Sequence, residues 1–129
     1  MVSRQNISSG GKYEKIIGYS RAVKFGNMIF VSGTTGTDST GSLIHDYDSY
    51  AQARQAIQNI QAALQKAGAT LNDVVRTRVF LSASANWQDV GKAHLEFFGS
   101  TMPASSMLIC SFLDPKILVE IEVDAAIEG

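Results

Sequence analysis

The sequence lacks the features that mark several common protein classes. Cys110 is its one cysteine, so no intrachain disulfide can form, and no Cys/His cluster has the spacing of a zinc site. No metal is therefore expected, and Cys110 is expected to be a small buried hydrophobe. A cationic excess is also missing: 11 Lys and Arg against 12 Asp and Glu give a formal net charge of −1 and a pI of about 6.1. Little is left to neutralise phosphates or anionic head groups, so neither nucleic acid nor a membrane surface is an expected partner. No apolar run approaches the roughly 20 residues that cross a bilayer, and residues 1–15 lack the apolar stretch of a secretory signal. A cytoplasmic protein is expected.

What is present suffices for one domain spanning residues 1–129, since a chain of this length that is 45% hydrophobic can bury a real core. Arg21 to Phe25 and Met28 to Ser32 are two β-type runs around Gly26-Asn27, which suits a type II′ hairpin. Gly33 to Asp46 holds three glycines and many Ser and Thr residues, and reads as a mobile surface loop. From Tyr50, apolar residues at Ala53, Ile57, Ile60, Leu64 and Ala67 draw one stripe along a helix. Ser49 and Gln52 form an expected capping box, and Lys66 and Gly68 suit the helix end.

Val74 to Leu81 reads as a strand with Arg76 and Arg78 on the face opposite Val75, Val79 and Leu81. A second helix follows, with Asn86 as N-cap, Trp87, Val90, His94 and Phe97 or Phe98 on its buried side, and Gly99 as its stop. Ser105 to Cys110 and Leu118 to Ala125 complete the strands. In the last of these, Val119, Ile121, Val123 and Ala125 alternate with Glu120, Glu122 and Asp124. The order ββαβαββ argues for an α+β two-layer sandwich with both helices on one face of the sheet. The other face, carrying acids, arginines and small residues, must then meet water or another chain, and self-association is the natural expectation.

Several stretches together resemble the RidA/YjgF family: Gly18-Tyr19-Ser20-Arg21-Ala22-Val23, Gly26-Asn27-Met28-Ile29 through Val31-Ser32-Gly33, Gln52-Ala53-Arg54-Gln55, Phe97-Phe98, Pro103-Ala104 and Val119-Glu120-Ile121-Glu122. The resemblance implies a chorismate-mutase-like fold with a mixed sheet, a homotrimer and small-molecule clefts between subunits. It also implies hydrolysis of reactive enamines or imines to 2-keto acids and ammonia without a cofactor. Such chemistry asks little of a protein, because an iminium carbon is already electrophilic. Holding the substrate, placing a water and supplying an acid or base are enough. On this resemblance Glu120 is the catalytic candidate, Tyr19 a cleft wall, and the backbone of Ser32 and Gly33 a source of hydrogen bonds.

The chain departs from the family pattern where a substrate-anchoring arginine should follow the Pro-Ala step, since Ser105 stands there instead. Losing a bidentate carboxylate clamp forfeits roughly 1.5–3 kcal/mol unless another cation reaches the spot. Two further cleft positions, an asparagine and a cysteine in the family, are Gly91 and Met107 here. Arg21 is the candidate to compensate because, two residues from Tyr19, it shares that residue's strand face. The plainer reading pairs Arg21, Arg76 and Arg78 across the sheet with Glu120, Glu122 or Asp124. The plainer reading of Glu120 is one acid of an alternating strand, paired across an interface. His94 and Trp87, with Gly91, either line a pocket or pack as a half-buried histidine beside core aromatics. The glycines of residues 33–41 lack the Gly-Lys-Ser/Thr ending of a phosphate cradle. Three functions follow in order: binding of a small imine, enamine or related amphipathic metabolite in an intersubunit cleft, with hydrolytic deamination left open, a non-catalytic ligand-sensing or protein-binding trimer, and a ribonuclease that the charge balance disfavours.

Overall fold

In the computed structural model, which describes residues 3–128, the chain opens with a strand that its polar sequence conceals, β1 (Arg4–Ile7). A π-helical turn (Glu14–Gly18) leads to β2 (Ala22–Phe25) and β3 (Met28–Thr34). These pair antiparallel from Ala22↔Val31 to Phe25↔Met28 around Gly26, whose φ of +63° supplies the positive angle that the tight turn needs. Then follow α1 (Ser49–Lys66), β4 (Val74–Leu81), α2 (Trp87–Phe98), β5 (Ala104–Ile109) and β6 (Val119–Ala126). The described order is thus βββαβαββ, one strand more than the sequence suggested. Among the described residues no helix is long and apolar enough to cross a membrane.

The six strands form one mixed sheet in the order β1-β2-β3-β6-β4-β5. Every pair is antiparallel except β4 and β5, which α2 joins as a parallel crossover. Both helices bury one face of this sheet. Ala53, Ile57, Ile60 and Leu64 of α1, with Val90, Ala93 and Phe98 of α2, close over Ile29, Val31, Val79, Ile121 and Val123 in a single core. The alternation read in β6 holds: Val119, Ile121, Val123 and Ala125 are buried, while Glu120, Glu122 and Asp124 lie on the open face.

Two irregularities break the expected alternation elsewhere. Between Val74↔Ala125 and Arg76↔Asp124, β4 advances two residues while β6 advances one. This bulge turns Val75 out to solvent and brings Val74 and Thr77 inward, so Val75 does not join Val79 and Leu81 in the core as expected. Between Val31↔Val123 and Thr34↔Ile121, β3 in turn advances three residues against two. Ser32 and Gly33 therefore leave the regular ladder.

The helix ends correct another expectation. Asp48, not Ser49, caps α1, accepting the Ala51 N–H at 2.9 Å. A carboxylate one residue upstream captures the free N–H groups first. Ser49 and Gln52 are buried and bind other segments. Ser49 Oγ accepts the Asn86 N–H, while Gln52 donates to the carbonyls of His45 and Lys116 and accepts the Leu118 N–H at 2.9 Å. Asn86 caps α2 as expected, accepting the Asp89 N–H. Trp87, however, points outward and is 58% exposed, and Ala93 takes the buried place beside Val90.

Residues 33–46, expected to form a mobile loop, are fastened at several points. The segment begins as the end of β3, Thr37 bridges Leu43, and Asn59 of α1 donates to the carbonyls of Thr35 and Thr37 at 3.0 Å. Cys110, expected in the core, is only half-buried. It follows β5, a strand exposed along its whole length, with no strand paired to its outer edge among the described residues.

Candidate functional site

The bulge in β3 creates the first half of the site. Because Gly33 lacks a side chain, Glu120 of the neighbouring β6 lies against its backbone. A Cβ built on Gly33 would stand 2.8 Å from the Glu120 Cδ and Oε2 atoms. Among the described residues no hydrogen bond or ion pair engages this carboxylate, although the side chain is half-buried. Burial raises its pKa above the ordinary carboxyl value, the charge of Glu122 raises it further, and the guanidinium of Arg21 lowers it.

Arg21 reaches the same bulge from β2's leading edge. One Nη1 donates both to the Gly33 carbonyl at 2.7 Å and to Thr34 Oγ1 at 2.9 Å. Its Cζ lies 5.6 Å from the Tyr19 ring centroid, and Nη2 is 3.5 Å from the Tyr19 hydroxyl. The guanidinium is thereby fixed, with Nε and most of the Nη2 edge left uncommitted. Ser32, expected to offer its backbone, has its polar groups engaged: its N–H donates to the Arg21 carbonyl at 2.9 Å, its carbonyl accepts the Thr34 hydroxyl at 2.7 Å, and its own hydroxyl donates to the Ser20 carbonyl at 2.7 Å. Tyr19 and Ser32 also border an open depression of about 490 Å³ that extends to Arg4 and Asn6. A smaller hollow of about 250 Å³, between Tyr47, Ser84 and Lys116, contains none of the candidate residues.

The cross-sheet pairing expected for all three arginines holds for two. Arg78 lies 3.4 Å from Glu122 and 3.2 Å from Asp124, and Arg76 lies 4.0 Å from Asp124. Arg21 takes no such partner among the described residues. Tyr19, Arg21, Ser32, Gly33 and Glu120 thus form one group.

Gly91, Ser105 and Met107 form another, and the sheet separates the two. Met107 pairs with Val79, which pairs with buried Ile121, so Met107 and Ser105 belong to the helix-side face. Glu120 pairs with Phe80, which pairs with Leu108, and these share the open face. Gly91 on α2 has nothing within 4 Å of where a Cβ would sit. Ser105 does not stand alone: its hydroxyl accepts from Thr77 Oγ1 at 2.8 Å, and Thr77 Oγ1 is 2.9 Å from His94 Nε2. His94 is half-buried against Phe98, at 4.7 Å between ring centroids, and burial lowers its pKa. The duller of its two readings therefore describes its packing, but not its hydrogen bond. Thr77 was missed in the sequence; its one signal there was a polar residue at an inward-facing strand position. Among the described residues, no three His, Cys, Asp or Glu side chains gather as a metal-ligand set.

Comparison with known proteins agrees with this architecture. A family model described as Endoribonuclease L-PSP matches residues 12–127. A RutC family protein of Pyrococcus abyssi is 39% identical over 116 residues, covering 88% of this chain and 91% of the relative. The crystal structure of Rv2704 from Mycobacterium tuberculosis, a member of the YjgF/YER057c/UK114 family, matches with a TM-score of 0.87 at 43% identity, over 97% of this chain and 100% of that one. The structure of E. coli TdcF with bound serine matches at a TM-score of 0.77 and 26% identity, over 85% of this chain and 88% of that one. A family model running nearly from end to end, with relatives this similar over most of their length, shows that the chain belongs to the RidA/YjgF family.

Proposed function

We propose that this protein binds small imines or enamines derived from amino acids, in clefts formed between copies of the chain, and hydrolyses them to 2-keto acids and ammonia. The observation that carries the reading is the state of Glu120. Its carboxylate is half-buried, bonded to no described residue, raised in pKa and seated on a glycine beside a fixed guanidinium. A structural ion pair would quench such a group, whereas an acid–base group needs this kind of freedom.

The roles follow from position. Arg21 holds the substrate carboxylate with the Nη2 edge that Gly33 and Thr34 leave free, in place of an arginine at Ser105. Tyr19 packs on the substrate, and the backbone N–H of Gly33, off the regular ladder, is the main-chain group offered to it, since the Ser32 N–H and both carbonyls are engaged within the chain. Glu120 exchanges protons with the attacking water and the substrate nitrogen. The relative TdcF, whose structure carries bound serine, supports an amino-acid-sized ligand. The helix-side group of Gly91, Ser105 and Met107 can meet Glu120 only across two copies, since one sheet separates them. A homotrimer with three such clefts meets that requirement.

The test is direct. Purified protein incubated with freshly generated 2-aminoacrylate or 2-iminobutyrate should release keto acid well above buffer, and Glu120→Gln should lower that rate by about 10²-fold or more. Release no faster than buffer would leave the non-catalytic ligand-sensing trimer, which Ser105 favours. The family model's description brings in RNA hydrolysis, but the acidic row of β6 across the open face opposes phosphate binding. Salt-sensitive RNA affinity is accordingly expected to be weak.

A further inference from the structure

Thr77 holds a position that this chemistry leaves unused. It is wholly buried in β4, yet its one hydroxyl lies within hydrogen-bond distance of His94 Nε2 on α2 and Ser105 Oγ on β5, at 2.9 and 2.8 Å. A hydroxyl carries one proton, so between these partners it donates to one and accepts from the other. The three side chains therefore form a directional chain with two orientations. In one, His94 Nε2–H donates to Thr77, Thr77 donates to Ser105, and the Ser105 O–H is free to point outward. The bond runs from Thr77 to Ser105, so the structure holds the first orientation, with the proton on His94 Nε2. In the other, reached by a change of tautomer and rotation of both hydroxyls, Ser105 donates inward, Thr77 donates onward, and the His94 Nε2 lone pair receives. Passing between them moves a proton between Ser105 and His94 without moving a heavy atom.

The two ends differ as a relay requires. Ser105 lies on an edge strand exposed along its length. His94 lies half-buried, meeting Thr77 from β4, Ser105 beyond it on β5, and Phe98 on its own helix. None of these is charged. Burial alone shifts the ring's pKa, and the shift is downward, which favours the uncharged ring, whose one lone pair sits on Nδ1 in the first orientation and on Nε2 in the second. Gly91 is His94's neighbour one turn back on the helix surface, and the open space at its Cβ position leaves room there for a ligand.

We propose that Ser105, Thr77 and His94 form a proton relay that serves the cleft opposite Glu120, so that two acid–base groups from two copies act on one substrate. This rests on the hydrolase reading above. In the hydration step the water oxygen bonds to the imine carbon, and the C=N π pair moves to nitrogen, which takes the proton of Glu120. The proton released by water enters Ser105, while the Ser105 and Thr77 protons each move one place inward, ending on His94 Nε2. In the collapse step the carbinolamine O–H proton goes to Glu120, C=O forms as the C–N bond breaks, and nitrogen leaves as ammonia with the proton His94 returns through Thr77 and Ser105. One water is consumed, one ammonia leaves, and both groups end as they began. Ser105 in this scheme presents a neutral hydroxyl to an uncharged nitrogen or oxygen, while the carboxylate is held elsewhere by Arg21.

The experiment measures kcat and KM from pH 5 to 9 with freshly generated 2-iminobutyrate for the wild type, Thr77→Val and Ser105→Ala. Thr77→Val keeps the buried shape and removes the hydroxyl. Ser105→Ala changes an exposed site and leaves the core untouched. Each is expected to lower kcat by about 10²-fold with KM little changed, and to erase the limb of the pH profile that follows the His94 pKa, itself read by NMR. An active wild type whose profile overlays that of Ser105→Ala would overturn the relay and leave the hydrolase reading intact. A wild type without turnover would overturn both.

Discussion

Glu120 is held where the folded chain does not favour its charge. Burial and the neighbouring Glu122 raise its pKa above the ordinary value of 4.5 by more than Arg21 lowers it. The folded state therefore binds this proton more tightly than the unfolded state. Its contribution to stability is fully present below pH 4.5 and is lost as pH rises through the raised folded value. Glu120→Gln, which stays neutral throughout, should be more stable than the wild type at pH 8, with the difference shrinking to its low-pH baseline near pH 4. Urea unfolding at a series of pH values reads this out, and a difference that does not change with pH would remove the assigned desolvation. At this scale the sequence was partly legible. Arg21 was found from its two-residue spacing to Tyr19, and Glu120 from the resemblance of Val119-Glu120-Ile121-Glu122 to a family motif. The link from Ser105 to His94 was not, because it passes through Thr77, 17 positions from one partner and 28 from the other, and no local pattern spans such gaps.

Periodicity located both helices and the five apolar strands, because a stripe or an alternation is printed in consecutive residues. Three things escaped it. β1 has one buried residue in four and is held by pairing with β2, a contact made far along the chain. The bulges at Val75 and at Ser32-Gly33 escaped because alternation assumes that each strand keeps step with its partner. Ser49 and Gln52 matched a capping box in spacing, but tertiary bonds claimed both side chains. That last correction ranks two substitutions. Asp48→Ala removes one cap bond at a solvent-exposed helix end and should cost about 1 kcal/mol. Gln52→Leu keeps roughly the volume but strips the Lys116 carbonyl and the Leu118 N–H of their partner, while the His45 carbonyl keeps the Asp48 N–H, at about 1–3 kcal/mol for each group left unpaired. Gln52→Leu should therefore lower the urea midpoint at least twice as far as Asp48→Ala, with the slope unchanged. The opposite ranking would mean that Gln52 is not what ties the segments around His45 and Lys116 to α1.

Among the described residues the helices leave one side of the sheet uncovered, and its two outer strands, β1 and β5, have no strand beyond them. On the open face Phe25, Phe30 and Leu108 are each about half exposed, on strands either side of the row of charged residues that β6 and β4 present. β5 also presents an unpaired row of backbone groups along its outer edge. If the proposed clefts complete themselves between copies, assembly and activity must fail together when this surface is spoiled and separately when only the chemistry is. Leu108 is the residue to change, since it continues the open-face row through Phe80 to Glu120 and is not part of the buried core. Leu108→Lys should convert a trimer to monomers in sedimentation velocity at micromolar concentration and abolish hydrolysis, with helical circular dichroism retained. Glu120→Gln should stay trimeric while losing the same activity. A wild type that sediments as a monomer at all accessible concentrations, or a monomeric Leu108→Lys that still turns over substrate at the full rate, would mean that one chain contains the whole site. The separation of Glu120 from Ser105 by the sheet would then have no functional meaning.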